Sequence, residues 1–187
     1  MVTERLSGAD RQRLLQLARR ALEARVRGEL APAVERGGGL DWPLGAFVTI
    51  HCRGELRGCL GRIEVEAPLA ETVVHLAGAV SDSDPRFEVV RIDDLPHVNV
   101  EISVLTPAHA IASASEIDLG RHGVIVEQGA RRGLLLPQVA PEHGWDRETL
   151  LEHACRKASL PPDAWRRGAT ISVFEADVFG EALGPEA

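Results

Sequence analysis

The stretch ELRGCLGRIE, Glu55 to Glu64, carries a thiol, a cation and two glycines within five residues. Cys59 follows Gly58, Gly61 stands two positions on, and Arg57 lies two positions back. A cysteine reacts as its thiolate, which a neighbouring cation stabilises. Glycine weakens a strand interior unless a bulge or a close approach requires it. Together these features fit a nucleophilic thiol at Cys59, with Arg57 stabilising negative charge and the amides of Gly58 to Gly61 open to a small substrate. The bland alternative is strong, because free cysteine often packs as a small hydrophobe and Arg57 fits a solvated cation equally well. Glu101, on the polar side of a later strand, is the candidate proton acceptor if that side shares a cleft with Cys59. Asp84 and Arg86, in SDSDPRF, can present a carboxylate and a guanidinium to a ligand, although Asp before Pro commonly just turns the chain. Catalytic roles therefore fall on Cys59, Arg57 and Glu101, and substrate binding on Gly58, Gly61, Asp84 and Arg86.

The other thiols carry less. Cys155 lies with Leu150, Leu151, Ala154 and Ala158 on one helical stripe, which reads as core. Cys52 has no partner that spacing names. Three cysteines in a chain whose start, MVTERLSGADRQRLL, lacks an apolar signal core point to reduced thiols and a cytoplasmic protein. No CxxC or HxxxH spacing is present. His51, Cys52 and Cys59 can be grouped on paper, but a fourth ligand is not identified, so neither a metal nor a cofactor is assigned. A Ser/His/Asp set and a P-loop are absent as well.

Composition narrows the partners. The 187 residues, 44% hydrophobic and 26% charged, suit an ordinary soluble domain, and no apolar run nears the roughly 20 residues that span a bilayer. A net charge of −7 disfavours non-specific nucleic-acid binding, which rests on phosphate neutralisation. The pairs Arg131–Arg132 and Arg166–Arg167 leave room for a small basic patch. Three Trp, four Phe and no Tyr offer few platforms for stacking bases.

Periodicity then supplies the elements that must position these groups. Ser7 and Asp10 start a helix whose apolar stripe runs through Leu14, Leu17, Ala21 and Val26 to about Gly28. FVTIHC and LRGCLGRI read as a hairpin. With Gly54-Glu55 as a type II′ turn, Ile50 falls opposite Cys59 and Cys52 opposite Arg57. Cys52 and Cys59 then share a face and His51 takes the other, and a one-residue change of register reverses this. A helix follows Pro68 and ends before SDSDPRF, and HVNVEISVLT alternates as a strand with Glu101 on its polar side. GVIVEQ, a turn at GARRG, LLLPQV, a helix from Arg147 to about Ala158 and a strand in ATISVFEADVF repeat the order hairpin, helix, strand. The order suggests related halves at roughly 40–107 and 120–180 within one domain spanning 1–187.

These stretches in this order resemble the AMMECR family. The resemblance runs through LRGCLG (Leu56 to Gly61), PLAETV (Pro68 to Val73), SDPRF (Ser83 to Phe87), VEISVLTP (Val100 to Pro107), RRGLLLPQVAPEHGWD (Arg131 to Asp146) and LEHACRKASLPPDAW (Leu151 to Trp165). It implies an α+β fold with an N-terminal helix and two β-β-α-β-like repeats around a mixed, barrel-like sheet. It also implies partnership with Memo-like and radical-SAM proteins on an unknown small-molecule or protein substrate. The chain lacks a CxxxCxxC cluster motif, so it is not itself the radical enzyme. Leu60 stands where many members have Ile, and Ser159 where many have Gly. The second departure bears on a helix end, where Gly adopts left-handed backbone more readily.

Overall fold

The computed structural model describes residues 6–63 and 66–181. The first five residues of the N-terminal stretch, and Glu64 of the cysteine-bearing one, lie outside them. In chain order the regular elements are α1 (Gly8–Arg27), β1 (Ala46–Cys52), β2 (Glu55–Arg62), α2 (Leu69–Ala79), β3 (Val98–Leu105), β4 (His109–Ile111), β5 (Gly123–Gln128), β6 (Arg131–Leu135), α3 (Val139–His143), α4 (Arg147–Lys157), β7 (Thr170–Phe174) and β8 (Ala176–Gly180). The chain divides into two compact units, one comprising 1–105 with 177–187 and the other 106–176.

In the first unit the strands lie in the order β2-β1-β3-β8, with β1 antiparallel to both β2 and β3. The helices start and stop on the expected signals. Ser7 caps α1 by accepting from the Asp10 amide, and Gly28 ends it at φ 71°, a left-handed conformation that costs glycine little. One face of the sheet, carrying Val48, Ile50, Val100 and Ile102, is buried with Leu14, Leu17 and Leu22 of α1 and Val73 and Ala77 of α2. Its other face carries the polar residues.

The second unit orders its strands β4-β7-β5-β6, again with antiparallel pairs. Helix α4 shares a core with this sheet through Leu150, Leu151, Ala154 and Cys155 against Val124, Val126 and Val173. Elements β1-β2-α2-β3 and β5-β6-α4-β7 follow one order, and the strand triplets β2-β1-β3 and β6-β5-β7 match. The α+β class, N-terminal helix and β-β-α-β order are as expected, but the sheets are two four-stranded layers with no closed barrel. Each has its own helices and core, and β2 and β6 remain edges, so no closure is needed to bury an apolar face.

Three local differences have physical causes. The second hairpin turns at Gly129-Ala130, so Arg131 and Arg132 belong to β6 and PQV lies beyond it. ATISVFEADVF is two strands, broken at Glu175, whose amide donates to the Thr106 hydroxyl at 2.8 Å while its carbonyl accepts from the Thr106 amide at 2.9 Å. The short β4, three residues of which only Ile111 is partly buried, is too short to show alternation and is invisible to periodicity.

Ser159 follows Ala158, the C-cap of α4, and stands at φ 58°. The Ser159 and Leu160 amides donate to the carbonyls of Arg156 and Cys155, which is the bonding of a Schellman ending. A side chain is strained in this conformation, so Ser159→Gly should stabilise the protein by ~0.5–1 kcal/mol. Urea unfolding checks this: an unchanged or lower midpoint would show that the serine is not strained.

Candidate functional site

The hairpin fixes which side chains face together. Its turn is Arg53-Gly54, at φ 52° and 82°, one residue earlier than the sequence suggests. Positive φ at both central residues defines type I′, whose twist suits a two-residue hairpin. Arginine rarely accepts this conformation, which is why Gly54-Glu55 is the more natural expectation from sequence. A bulge at Arg57 then shifts β2 by one further residue, so Cys59 lies opposite Thr49 and Ile50 opposite Gly58. Cys52 turns to the core side, packed against the first unit's core, while His51 joins Cys59 on the polar face. Both assignments correct the expected register.

Three rows now cross β2, β1 and β3 on that face: Leu56–His51–Asn99, Cys59–Thr49–Glu101 and Gly61–Phe47–Ser103. Glu101 thus shares a face with Cys59, one strand removed from direct contact. Spacing of ~4.8 Å per strand places their backbones roughly 10 Å apart. Thr49 stands between them, and its hydroxyl donates to the Cys59 sulfur at 3.3 Å. The thiol is partly exposed.

Asp84 and Arg86 meet the same residue from the outside. Strand β2 is an edge, and the Cys59 amide donates at 2.9 Å to the Asp84 carboxylate. Arg86 grips that carboxylate through Nε at 2.9 Å and Nη2 at 2.7 Å, and also donates to the Cys59 carbonyl at 3.3 Å. One acid and one base thereby replace the neighbouring strand that Cys59 lacks. Asp84 is 5% exposed. The Arg86 guanidinium holds its carboxyl well below the usual carboxylate range, helped by the amides of Cys59 and Arg86 and opposed by burial. Asp84 in turn raises Arg86 above the ordinary guanidinium value.

The remaining expected residues are positioned by packing. Between the Ile50–Gly58 and His51–Leu56 pairs β2 has an extra residue, Arg57, so the strand bulges there. The bulge sends the Arg57 guanidinium to the Val89 carbonyl at 3.3 Å, on the loop after Arg86. The cation bonded to Cys59 is therefore Arg86, not Arg57. Gly58 faces the core, where a Cβ would come 2.9 Å from the Val80 carbonyl at the end of α2. Gly61 is overlain by Phe47, whose ring a Cβ would meet at 2.2 Å. Each glycine has a packing reason of its own.

Cys155 is fully buried in α4, and burial pushes its thiol up. In the basic pairs of the second unit Arg132 lies beside Glu127, Arg166 beside Glu148 and Arg167 beside Asp163, while Arg131 donates to the Ser159 carbonyl. Among the described residues no three His, Cys, Asp or Glu side chains gather as a metal-ligand set, and no helix is long and apolar enough to cross a membrane. His51 joins this face although the expected register set it on the other one. Its alternation with Phe47 and Thr49 is visible in the sequence, but the pairing that brings it beside Cys59 depends on the bulge at Arg57.

Two β-β-α-β units, the first bearing a thiol on an edge strand whose backbone is gripped by an Asp–Arg pair, define a two-unit α+β protein. The chain belongs to the AMMECR1 family, whose model matches residues 15–179 and so spans both units. It is 38% identical to Mbar_A1807 of Methanosarcina barkeri over 94% of this chain and 92% of that one. It is 42% identical to MK0488 of Methanopyrus kandleri over 95% and 91%. The crystal structure of the uncharacterised protein PH0010 from Pyrococcus horikoshii matches with a TM-score of 0.82 at 38% identity, covering 91% of this chain and 90% of that one.

Proposed function

We propose that this protein acts through the polar face around Cys59, as a ligand or substrate site in a cytoplasmic pathway shared with Memo-like and radical-SAM proteins. Cys59 serves there as the thiol of an enzyme or of an acceptor protein, and the two units are duplicated halves of one AMMECR1-type domain. The observation that carries this reading is the Cys59 position itself. The sulfur accepts from Thr49 while its amide and carbonyl are held by Asp84 and Arg86, so a partly exposed thiol is presented on immobilised backbone. Gly61, Asp84 and Arg86 frame the approach, and Arg57 secures the loop that brings Arg86.

Iodoacetamide labelling of the folded protein, read by peptide mass spectrometry, tests it. Cys59 should be modified at neutral pH while Cys155, at 0% exposure, stays unmodified until the chain unfolds. A Cys59 that stays inert under these conditions removes the reactive-thiol reading.

A second reading is a non-catalytic binding module, favoured by the exposed apolar side chains Leu56 and Val89 beside the same edge. Capture of purified Memo-like partner by wild type, Cys59→Ser and Arg57→Ala separates the two. Capture lost in Arg57→Ala but kept in Cys59→Ser supports binding through the loop, and capture unaffected by both places any partner elsewhere. Nucleic acid is disfavoured on charge, and a titration at moderate salt should show no salt-sensitive association.

A further inference from the structure

We propose that His51 is the base that takes the proton from the Cys59 thiol and that Glu101 positions it, so that the face performs nucleophilic attack on a carbon electrophile. This rests on the reading of Cys59 as a reactive thiol and adds the groups that would activate it. Cys59 and Glu101 both lie opposite Thr49, on its two sides, and His51 is two residues along β1 on the same face. His51 is therefore diagonal to both, at a backbone separation of ~7–8 Å that long side chains bridge. The order thiol, imidazole, carboxylate is the arrangement in which a base beside a nucleophile is oriented by a third group.

The second observation is the state of these side chains. Among the described residues neither the His51 imidazole nor the Glu101 carboxylate has a hydrogen bond or ion pair. Both are half-buried. Their polar atoms keep contact with solvent, so the imidazole and the carboxylate stay available to the thiol and to a ligand. The flanking rows present Leu56 and Phe47, which suits a carbon electrophile with apolar surroundings. Glu101 lies on the His51 face, with the exposed His97 just before β3, while along the β2 edge Arg57 is turned to the Val89 carbonyl and Arg86 is matched by Asp84. On β8, Asp177 is turned to Arg11 of α1.

In the step itself the S–H proton moves to the imidazole, the sulfur forms a bond to the carbon, and the leaving group departs with the electron pair of its broken bond. With iodoacetamide the leaving group is iodide, and the proton passes from His51 to solvent. Thr49, donating to the sulfur, steadies the charge as it develops.

The test is the rate of Cys59 carboxamidomethylation from pH 6 to 10 in the full chain. His51→Gln should lose at least tenfold in rate near pH 6.5 and match wild type near pH 10, where solvent ionises a free thiol without help. Glu101→Gln should lose a smaller factor, about two- to fivefold, with its profile displaced along the pH axis, and His97→Gln should change neither. Added imidazole should restore His51→Ala at low pH, which a merely structural role for His51 would not allow. If Cys59 labels but the His51→Gln profile superimposes on wild type and imidazole rescues nothing, the assignment of His51 falls while the reactive thiol stands. If Cys59 does not label in wild type, both fall.

Discussion

Asp84→Ala should lower the unfolding free energy by about 3 kcal/mol at pH 7 and make the protein self-associate more than wild type does. Removing the carboxylate strands three donors at once, the amides of Cys59 and Arg86 and the Arg86 guanidinium, in a position where Asp84 is 5% exposed. Hydrogen bonds to charged groups contribute roughly 1.5–3 kcal/mol each, and breaking a buried pair costs ~3–5 kcal/mol. The Arg86 side chain is 60% exposed, so solvent compensates part of the loss and the lower figure applies. Association follows from the edge. With Asp84 gone, the outward backbone of β2 at Cys59 is no longer satisfied from within the chain, and an unpaired edge is a template for another strand. Urea unfolding reads the first effect and size-exclusion chromatography the second. Wild-type stability and a wild-type elution profile in the variant would show that the pair is ornamental.

The same carboxylate sets a pH dependence with a definite sign. Its folded-state value lies below the unfolded one, near 3.9, so the stabilisation is complete above about pH 5 and is lost as pH falls through the folded value. The stability gap between wild type and Asp84→Asn should therefore be constant from about pH 5 upward and close only in strong acid. A gap that grew on acidification would contradict the assignment.

Gly133→Ala should be the other severe change, destabilising by about 3 kcal/mol or more. Gly133 on β6 is where α4 approaches its sheet. A Cβ there would stand 2.2 Å from the Ala154 carbonyl and 2.6 Å from the Ala158 amide. Both are backbone atoms, so no side chain can rotate aside and the helix itself must lift from the strand. Overpacking of this kind typically costs ~1–3 kcal/mol, and rigid backbone on both sides puts this case at or beyond the upper end. Gly78→Ala is the matched control. Its Cβ would lie 3.8 Å from its nearest neighbours, within an α-helix where alanine is preferred by ~1 kcal/mol. Denaturant midpoints should move in opposite directions for the two variants. Equal behaviour would mean that helix propensity, not the close approach of α4, controls the substitution at Gly133.

Much of the frame was legible because it depends on neighbours in sequence. The Ser7 cap, the stripe from Leu14 to Val26, the proline start of α2 and the strict alternation from Val98 to Val104 are local signals, and each element lies where its signal stands. Cys155 likewise followed its helical stripe into the core. The site was legible in its parts but not in its arrangement. Cys59, Asp84 and Arg86 meet, and Glu101 shares their face, whereas Arg57 is diverted by a bulge and Gly58 and Gly61 answer to Val80 and Phe47.

By itself the sequence determined the three long helices, the first hairpin, the strand from Val98, the repeated order of elements and the family, because periodicity, caps and ordered motifs are written along the chain. The tertiary structure decided which residues face one another. A strand's side chains alternate with a period of two, and moving a two-residue turn by one position shifts the pairing by two residues and keeps each face, so it is the single extra residue of the bulge at Arg57 that exchanges Cys52 for His51 beside Cys59. It also decided that Asp84 and Arg86, 25 and 27 residues away from Cys59, close the open edge of its strand. No local pattern encodes that meeting, since it exists only once α2 has packed and returned the chain to β2.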